Sequence, residues 1–261
     1  MKKIYFIFFS FSIFLSACQN EPKKIKSDKE AVAFAEKIEK THEKKSFAKK
    51  QAVSFHIDLN FGGEERLNAT ITQLTNSGKI KIKKDDGTTI IFDGKEVYLY
   101  PEVTNYSGAR FDIFTWSYFF MMPHKLTDPG TVWKNKKERE LNEKKYNSAK
   151  LSFQQNIGDA PDDWYVVYAD KNTNLLKAAA YIVTFGKDIE KAEKNPHAIV
   201  YENYITVDGI PFSNYWKFFN WSEEKGIYGK PIGEALIKNI SLKEVSEGEF
   251  SVPKTAIKIE Q

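Results

Sequence analysis

The 261-residue sequence predicts a mainly β protein: hairpin-linked antiparallel strands, preceded by one helix and interrupted by another. Three observations carry this reading. From Val53 onward apolar residues recur at every second position, the period of a half-buried strand. Turn signals punctuate the run at Gly62-Gly63, Asn76-Ser77-Gly78, Asp86-Gly87 and Asp93-Gly94. Between strands, Ala109 to Met122 is apolar nearly all round a helical projection, as a helix covered on both sides must be.

The chain opens with Met1-Lys2-Lys3, runs through apolar Ile4 to Leu15, and reaches Leu15-Ser16-Ala17-Cys18. The apolar stretch is too short for a stable membrane span but suits a secretory signal. The last four residues form a lipobox, so residues 1–17 are expected to be a lipoprotein signal peptide. Cys18, the only cysteine, is then the acylated N-terminus. One acyl chain binds a bilayer marginally, whereas two or three hold firmly. Gln19 follows Cys18 where an Asp would retain the chain in the inner membrane; by resemblance to known sorting rules this points to the outer membrane, with the face open. Residues 18–26 read as a lipidated tether; Gln19 to Lys26 could reach about 28 Å at ~3.5 Å per residue. Residues 27–261 read as a single β domain.

Composition is globular, with 41% apolar, 28% charged and a high 15% aromatic residues. A formal charge of +4, two units of it from Lys2 and Lys3, supplies no concentrated basic face for nucleic acid. With one cysteine no internal disulfide can form, so stability must come from a large core.

Ser27 and Glu30 make a capping box, and Ala31, Ala35 and Ile38 keep helical spacing to about Lys45, with His42 as a packed or capping residue. Val53, Phe55, Ile57, Leu59 and Phe61 mark the cleanest strand. Leu67-Ala69-Ile71, Ile80-Ile82, Thr88 to Phe92 and Val97 to Tyr100 complete a first antiparallel group. Pro123 and Asp128-Pro129-Gly130 end the aromatic helix in a turn. Strands resume at Ala149 to Phe153, Trp164 to Tyr168, Ala178 to Phe185, Ala198 to Val207, Phe212 to Trp221 and Ala235 to Leu242. Lys134 to Lys145 reads as an exposed hairpin flank, and Lys187 to Pro196 as a polar loop or a single helical turn.

The N-terminal helix, the strands and the segment Phe92-Asp93-Gly94-Lys95-Glu96-Val97-Tyr98-Leu99-Tyr100-Pro101 resemble the superfamily of LolA-type lipoprotein carriers, LolB and RseB-like sensors. The segments Phe111 to Thr131, Gly158 to Asp170 and Tyr181 to Lys187 look like signatures of an uncharacterised bacterial lipoprotein family. The resemblance implies a half-open antiparallel β-barrel of about ten or eleven strands, with an N-terminal helix and a mid-chain aromatic lid helix. It also implies an apolar cavity for acyl chains. The periplasmic carriers are soluble and unlipidated, so a lipidated chain is not expected to act as a shuttle.

Catalytic signatures are missing: no nucleophile elbow, zinc-binding helix, P-loop or Cys/His metal spacing occurs. No catalytic residue, metal or cofactor is therefore expected. His42, His56, His124 and His197 are scattered; His56 beside Asp58 reads as a surface residue. Asp162-Asp163 reads as a turn into Trp164. A hydrolase would require these carboxylates to converge with His197 or His124. The aromatic excess is the better lead, although the same rings could fill an ordinary core. Phe114, Trp116, Tyr118 and Phe120 are expected to line or gate the cavity, with Met121 an adaptable contact. Trp164, Tyr181 and Trp216 are expected to form its wall. The expected partners are the membrane, through acylated Cys18, and a lipid, acyl chain or lipidated peptide. A second reading is a structural lipoprotein with a filled barrel, docking an unidentified envelope protein through its outer surface.

Overall fold

The computed structural model describes residues 24–101 and 106–260. The expected signal peptide, Cys18 and most of the tether lie outside the described residues. The chain begins with α1 (Lys29–Thr41), a left-handed Glu43 and one further turn, α2 (Lys44–Phe47). Five strands follow: β1 (Ala52–Phe61), β2 (Glu64–Leu74), β3 (Ile80–Lys84), β4 (Thr89–Phe92) and β5 (Val97–Tyr100). The aromatic helix α3 (Ala109–Met121) comes next, then β6 (Thr131–Leu141), β7 (Lys144–Phe153), β8 (Tyr165–Ala169) and β9 (Leu176–Tyr181). A short turn, α4 (Ile189–Ala192), precedes β10 (His197–Val207), β11 (Ile210–Ser222), β12 (Gly226–Lys243) and β13 (Ile257–Ile259).

All these strands pair antiparallel in one sheet, ordered β13-β5-β4-β3-β2-β1-β12-β11-β10-β9-β8-β7-β6. The sheet does not close: β13 and β6 are its two ends, which makes the fold a half-open barrel. Thirteen strands form where ten or eleven were expected. The additional pairing comes from β6 and β13. Along Lys134 to Glu140 the β6 side chains are mostly solvated, so no apolar alternation announces the strand, and β13 is only three residues long. Asn142 and Glu143, with φ of 50° and 61°, form the tight turn between β6 and β7.

The capping box expected at Ser27 does not form. Asp28 is the N-cap, and the Ser27 hydroxyl accepts the Trp133 amide at 3.1 Å. The Asp28 amide donates to the Trp133 carbonyl at 2.8 Å. The chain entering α1 thus lies along the edge of β6 and covers part of it, one remedy for an exposed strand edge.

Helix α3 fills the hollow of the sheet. Phe120 stacks on Phe55 of β1, with centroids 3.8 Å apart, and on Phe212 of β11 at 5.3 Å. Phe114 meets Phe92 of β4 at 5.1 Å, and Phe119 meets Tyr181 of β9 at 4.9 Å. Rings from distant strands touch one helix only if the sheet curls around it. One apolar core therefore includes α1, α3 and the inward face of nearly every strand.

An acidic anchor fixes α3 in place. Asp112 is fully buried; Arg66 of β2 donates to both of its oxygens, at 2.6 and 3.1 Å. Trp116 Nε1 donates to the same carboxylate at 2.8 Å, and the Tyr106 hydroxyl is a further partner. Such a bidentate guanidinium–carboxylate pair is both strong and directional. At the other end of the hollow, buried Glu39 accepts the Thr127 amide at 2.7 Å, its hydroxyl at 2.6 Å and Lys44 Nζ at 2.7 Å. This ties α1 to the segment that follows α3.

Candidate functional site

A cavity of about 370 Å³ lies between α3 and strands β7 to β9. Phe111, Phe114, Tyr118 and Phe119 face it from the helix; Phe153, Tyr165 and Tyr181 face it from the strands. The loop after β7 contributes Ile157, which packs so close to Gly130 that a Cβ there would sit 2.6 Å from its side chain. With φ of +93° as well, that position accepts only glycine.

The mouth is polar and pinned. Arg110, in the first turn of α3, donates through Nε to both carboxylate oxygens of Asp159 at 3.1 Å, holding the 154–164 loop against the helix. Asp128 pairs with Lys125 at 2.7 Å and with Lys44 at 3.0 Å. Asp163 accepts the Thr184 amide at 2.8 Å and its hydroxyl at 2.7 Å. Burial raises the Asp163 pKa despite those two hydrogen bonds. Burial likewise pushes the phenols of Tyr118, Tyr165 and Tyr181 well above their ordinary range, so they stay neutral. The Tyr118 hydroxyl is buried and has no hydrogen-bond partner among the described residues.

The eight ligand-binding candidates separate into three groups. Phe114, Tyr118 and Tyr181 come together on the cavity wall. Trp116, Phe120, Met121 and Trp216 are buried in the packed core instead, at 4%, 4%, 0% and 1% exposure. Trp116 turns toward Asp112 and Phe218, and Trp216 packs on Tyr201 with centroids 5.9 Å apart. Trp164 lies on the opposite face of the sheet, against Trp221. The reason is parity: Tyr165, Val167 and Ala169 face the hollow, so Trp164, Val166 and Tyr168 face outward. Both faces of β8 are apolar, and alternation alone could not tell them apart. Phe119, part of the aromatic run of the helix, and Phe153 and Tyr165 also line the cavity, outside the eight candidates. For Phe153 a signal did exist, the run Ala149-Leu151-Phe153 with its consistent inward parity.

Of the two histidines a hydrolase would need beside Asp162 or Asp163, His197 packs on the Tyr181 ring, with centroids 6.2 Å apart. His124 is buried at the far end of the core, its Nε2 donating to the His42 carbonyl at 3.0 Å, while Asp163 is engaged by Thr184. No group of three His, Cys, Asp or Glu side chains that could hold a metal ion occurs among the described residues. No helix among them is long and apolar enough to cross a membrane.

An open, helix-filled antiparallel sheet with an apolar hollow defines the LolA-like half-open barrels, and this chain has that fold. It is similar to a LolA superfamily protein from Nitrosomonas europaea, with a TM-score of 0.53 at 11% identity, over 85% of this chain and 97% of the other. It is also similar to a domain from Vibrio parahaemolyticus named as an outer membrane lipoprotein-sorting protein. There the TM-score is 0.50 at 14% identity, over 83% of this chain and 97% of the other. At such identities the likeness is one of fold. No family model matches the sequence, and no curated protein does.

Proposed function

We propose that this protein is a non-catalytic envelope lipoprotein, held to the outer membrane by acylated Cys18. In this reading its single β domain, residues 27–261, carries one acyl chain, of a lipid or a lipidated peptide, in the cavity beside α3. Phe114, Tyr118 and Tyr181 are the contacts, together with Phe119, Phe153 and Tyr165. The observation that carries the reading is an apolar cavity whose lining residues include two with buried, unpartnered hydroxyls, Ser117 Oγ and Tyr118 Oη. Binding sites for small ligands pair apolar walls with few polar anchors. A buried hydroxyl without a partner costs the free protein stability, and a ligand acceptor would remove that cost. The volume supports one chain in place of several, since it falls near the lower end of the ~300–1,000 Å³ range of ligand sites.

Displacement of a fluorescent fatty acid from the domain beginning at residue 24 tests the cavity. Saturable displacement by unlabelled fatty acid is expected, and Phe114→Arg should abolish it. A protein that neither binds the probe nor retains lipid after extraction would end this reading. Membrane attachment is tested separately, by mass spectrometry of the mature N-terminus in wild type and Cys18→Ser.

A further inference from the structure

The second hollow of the molecule lies on the outward face of the sheet. There Tyr146, Val166, Tyr168, Ala178, Ala180, Ala198, Val200 and Trp221 form an apolar layer independent of the main core. Small Ala178, Ala180 and Ala198 occupy its middle, and the ends of two hairpins fold over it. A Cβ on Gly226 would sit 2.7 Å from the Glu140 carbonyl, so the β11–β12 turn lies directly on the end of β6. Glu223 bridges the two hairpins, to Lys137 at 2.8 Å and Arg139 at 3.0 Å. Beside this junction is an open groove of about 900 Å³, with Trp164, Val166 and Trp221 on its floor and Tyr228 on its rim.

Charge around the groove is unbalanced. Lys137 and Arg139 are engaged by Glu223, and Glu193 accepts the Trp164 indole N–H at 3.2 Å. Among the described residues, Lys150 and Lys194 line the same groove without an ion pair, and Lys136 feels only the longer-range attraction of Glu138, which is itself paired with Lys171. Lys150 stands over the Trp164 ring, 4.5 Å from its centroid. We infer that this groove is a docking site for an acidic, aromatic-bearing peptide segment of a partner protein. Carboxylates would pair with Lys136, Lys150 and Lys194, and an apolar side chain would lie on the Trp164–Trp221 floor. Tryptophan and tyrosine are what protein interfaces concentrate at their energetic centres, and rim lysines supply charge complementarity to an acidic partner. A sugar ring is disfavoured because Lys150 already covers one face of the half-buried Trp164 indole and Trp221 meets it from another side. The chain's own tether is excluded by charge, with Lys23, Lys24 and Lys26 against Glu21 alone.

The inference is independent of the acyl-chain reading and its test is separate. A displayed heptapeptide library is panned on the domain, and recovered peptides are titrated by fluorescence polarisation. Enrichment of Asp and Glu beside Phe, Tyr or Trp is expected, with affinity falling steeply as salt rises. Lys150→Glu should weaken binding at least tenfold. Lys194→Glu, on an exposed loop where folding is not at stake, should weaken it severalfold. Recovered peptides without acidic residues, or affinities unmoved by both variants, would overturn the proposal. So would a polyuronate that binds at the groove and is not displaced by the peptides, or self-association abolished by Lys194→Glu.

Discussion

Tyr118 links the cavity's chemistry to its cost. Its hydroxyl is buried without a partner, so the ligand-free protein carries an unpaid desolvation of about 1–3 kcal/mol. Tyr118→Phe should therefore stabilise the free domain by ~1 kcal/mol, a rise in Tm of roughly 2–4 °C for a domain of this size. The same change should weaken a fatty acid while leaving a plain alkane of equal length unaffected. Calorimetry of the free protein and titration with the two ligands check both halves. A variant that gains no stability and discriminates nothing would show that the hydroxyl is satisfied in solution.

A buried histidine pair makes a second prediction for single residues. His42 accepts the Leu176 amide at 3.1 Å, and His124 donates to the His42 carbonyl. Burial lowers their pKa values to about 4 and about 3, from an ordinary value of 6.5. The folded state thus binds fewer protons than the unfolded state across that interval. Their stabilisation is complete above pH 6.5 and is lost as pH falls toward 4 and then 3. Each histidine contributes a slope of about 1.4 kcal/mol per pH unit within its window. Urea midpoints between pH 7 and 4.5 should fall in wild type and fall less in His124→Gln.

At the scale of elements, the Asp112 anchor decides whether α3 stays in the hollow. Asp112→Ala leaves Arg66, Trp116 and Tyr106 without their shared acceptor. Arg66 is about one-third exposed, which moderates the loss, so about 2–3 kcal/mol is expected by urea denaturation. Amide exchange should accelerate first along Ala109–Met121. Most elements could be read from residue pattern: β1 from its strict alternation, α3 from its all-round apolar character, and the tight turns from Gly62-Gly63 and Asp86-Gly87. What could not be read depended on tertiary context. β6 is polar from Asn135 to Glu138 because both of its faces there meet water. The sidedness of β8, and therefore the place of Trp164, depended on which of two apolar faces met the helix. For α3 the same difficulty applied: a helix apolar all round does not show which face meets packed core and which meets the cavity. Phe114 and Tyr118 could thus be named from sequence together with Trp116 and Phe120, and only folding separated them.

Across the whole molecule, the junction of the β11–β12 turn with β6 governs the outward groove. Gly226 has φ of +65° and no room for a Cβ, so Gly226→Val should cost about 2 kcal/mol or more and part the two hairpins. Trp164 and Trp221 would gain exposure, seen as a red shift in fluorescence, while displacement of the fatty-acid probe should be retained. Retained probe binding with an altered groove would demonstrate that the two hollows act separately.

The pairing of β1 with β12 in the middle of the sheet sets the order in which the molecule can be completed. Ala52 lies opposite Lys243, and Phe61 opposite Gly233, so an early strand must wait for one near the far end of the chain. Until the final stretch emerges, β1 keeps an unsatisfied edge and Phe120, stacked on Phe55, lacks Phe212 on its other side. A polypeptide threaded N-terminus first through a narrow pore would remain slack, and easy to pull, until almost all of it had crossed.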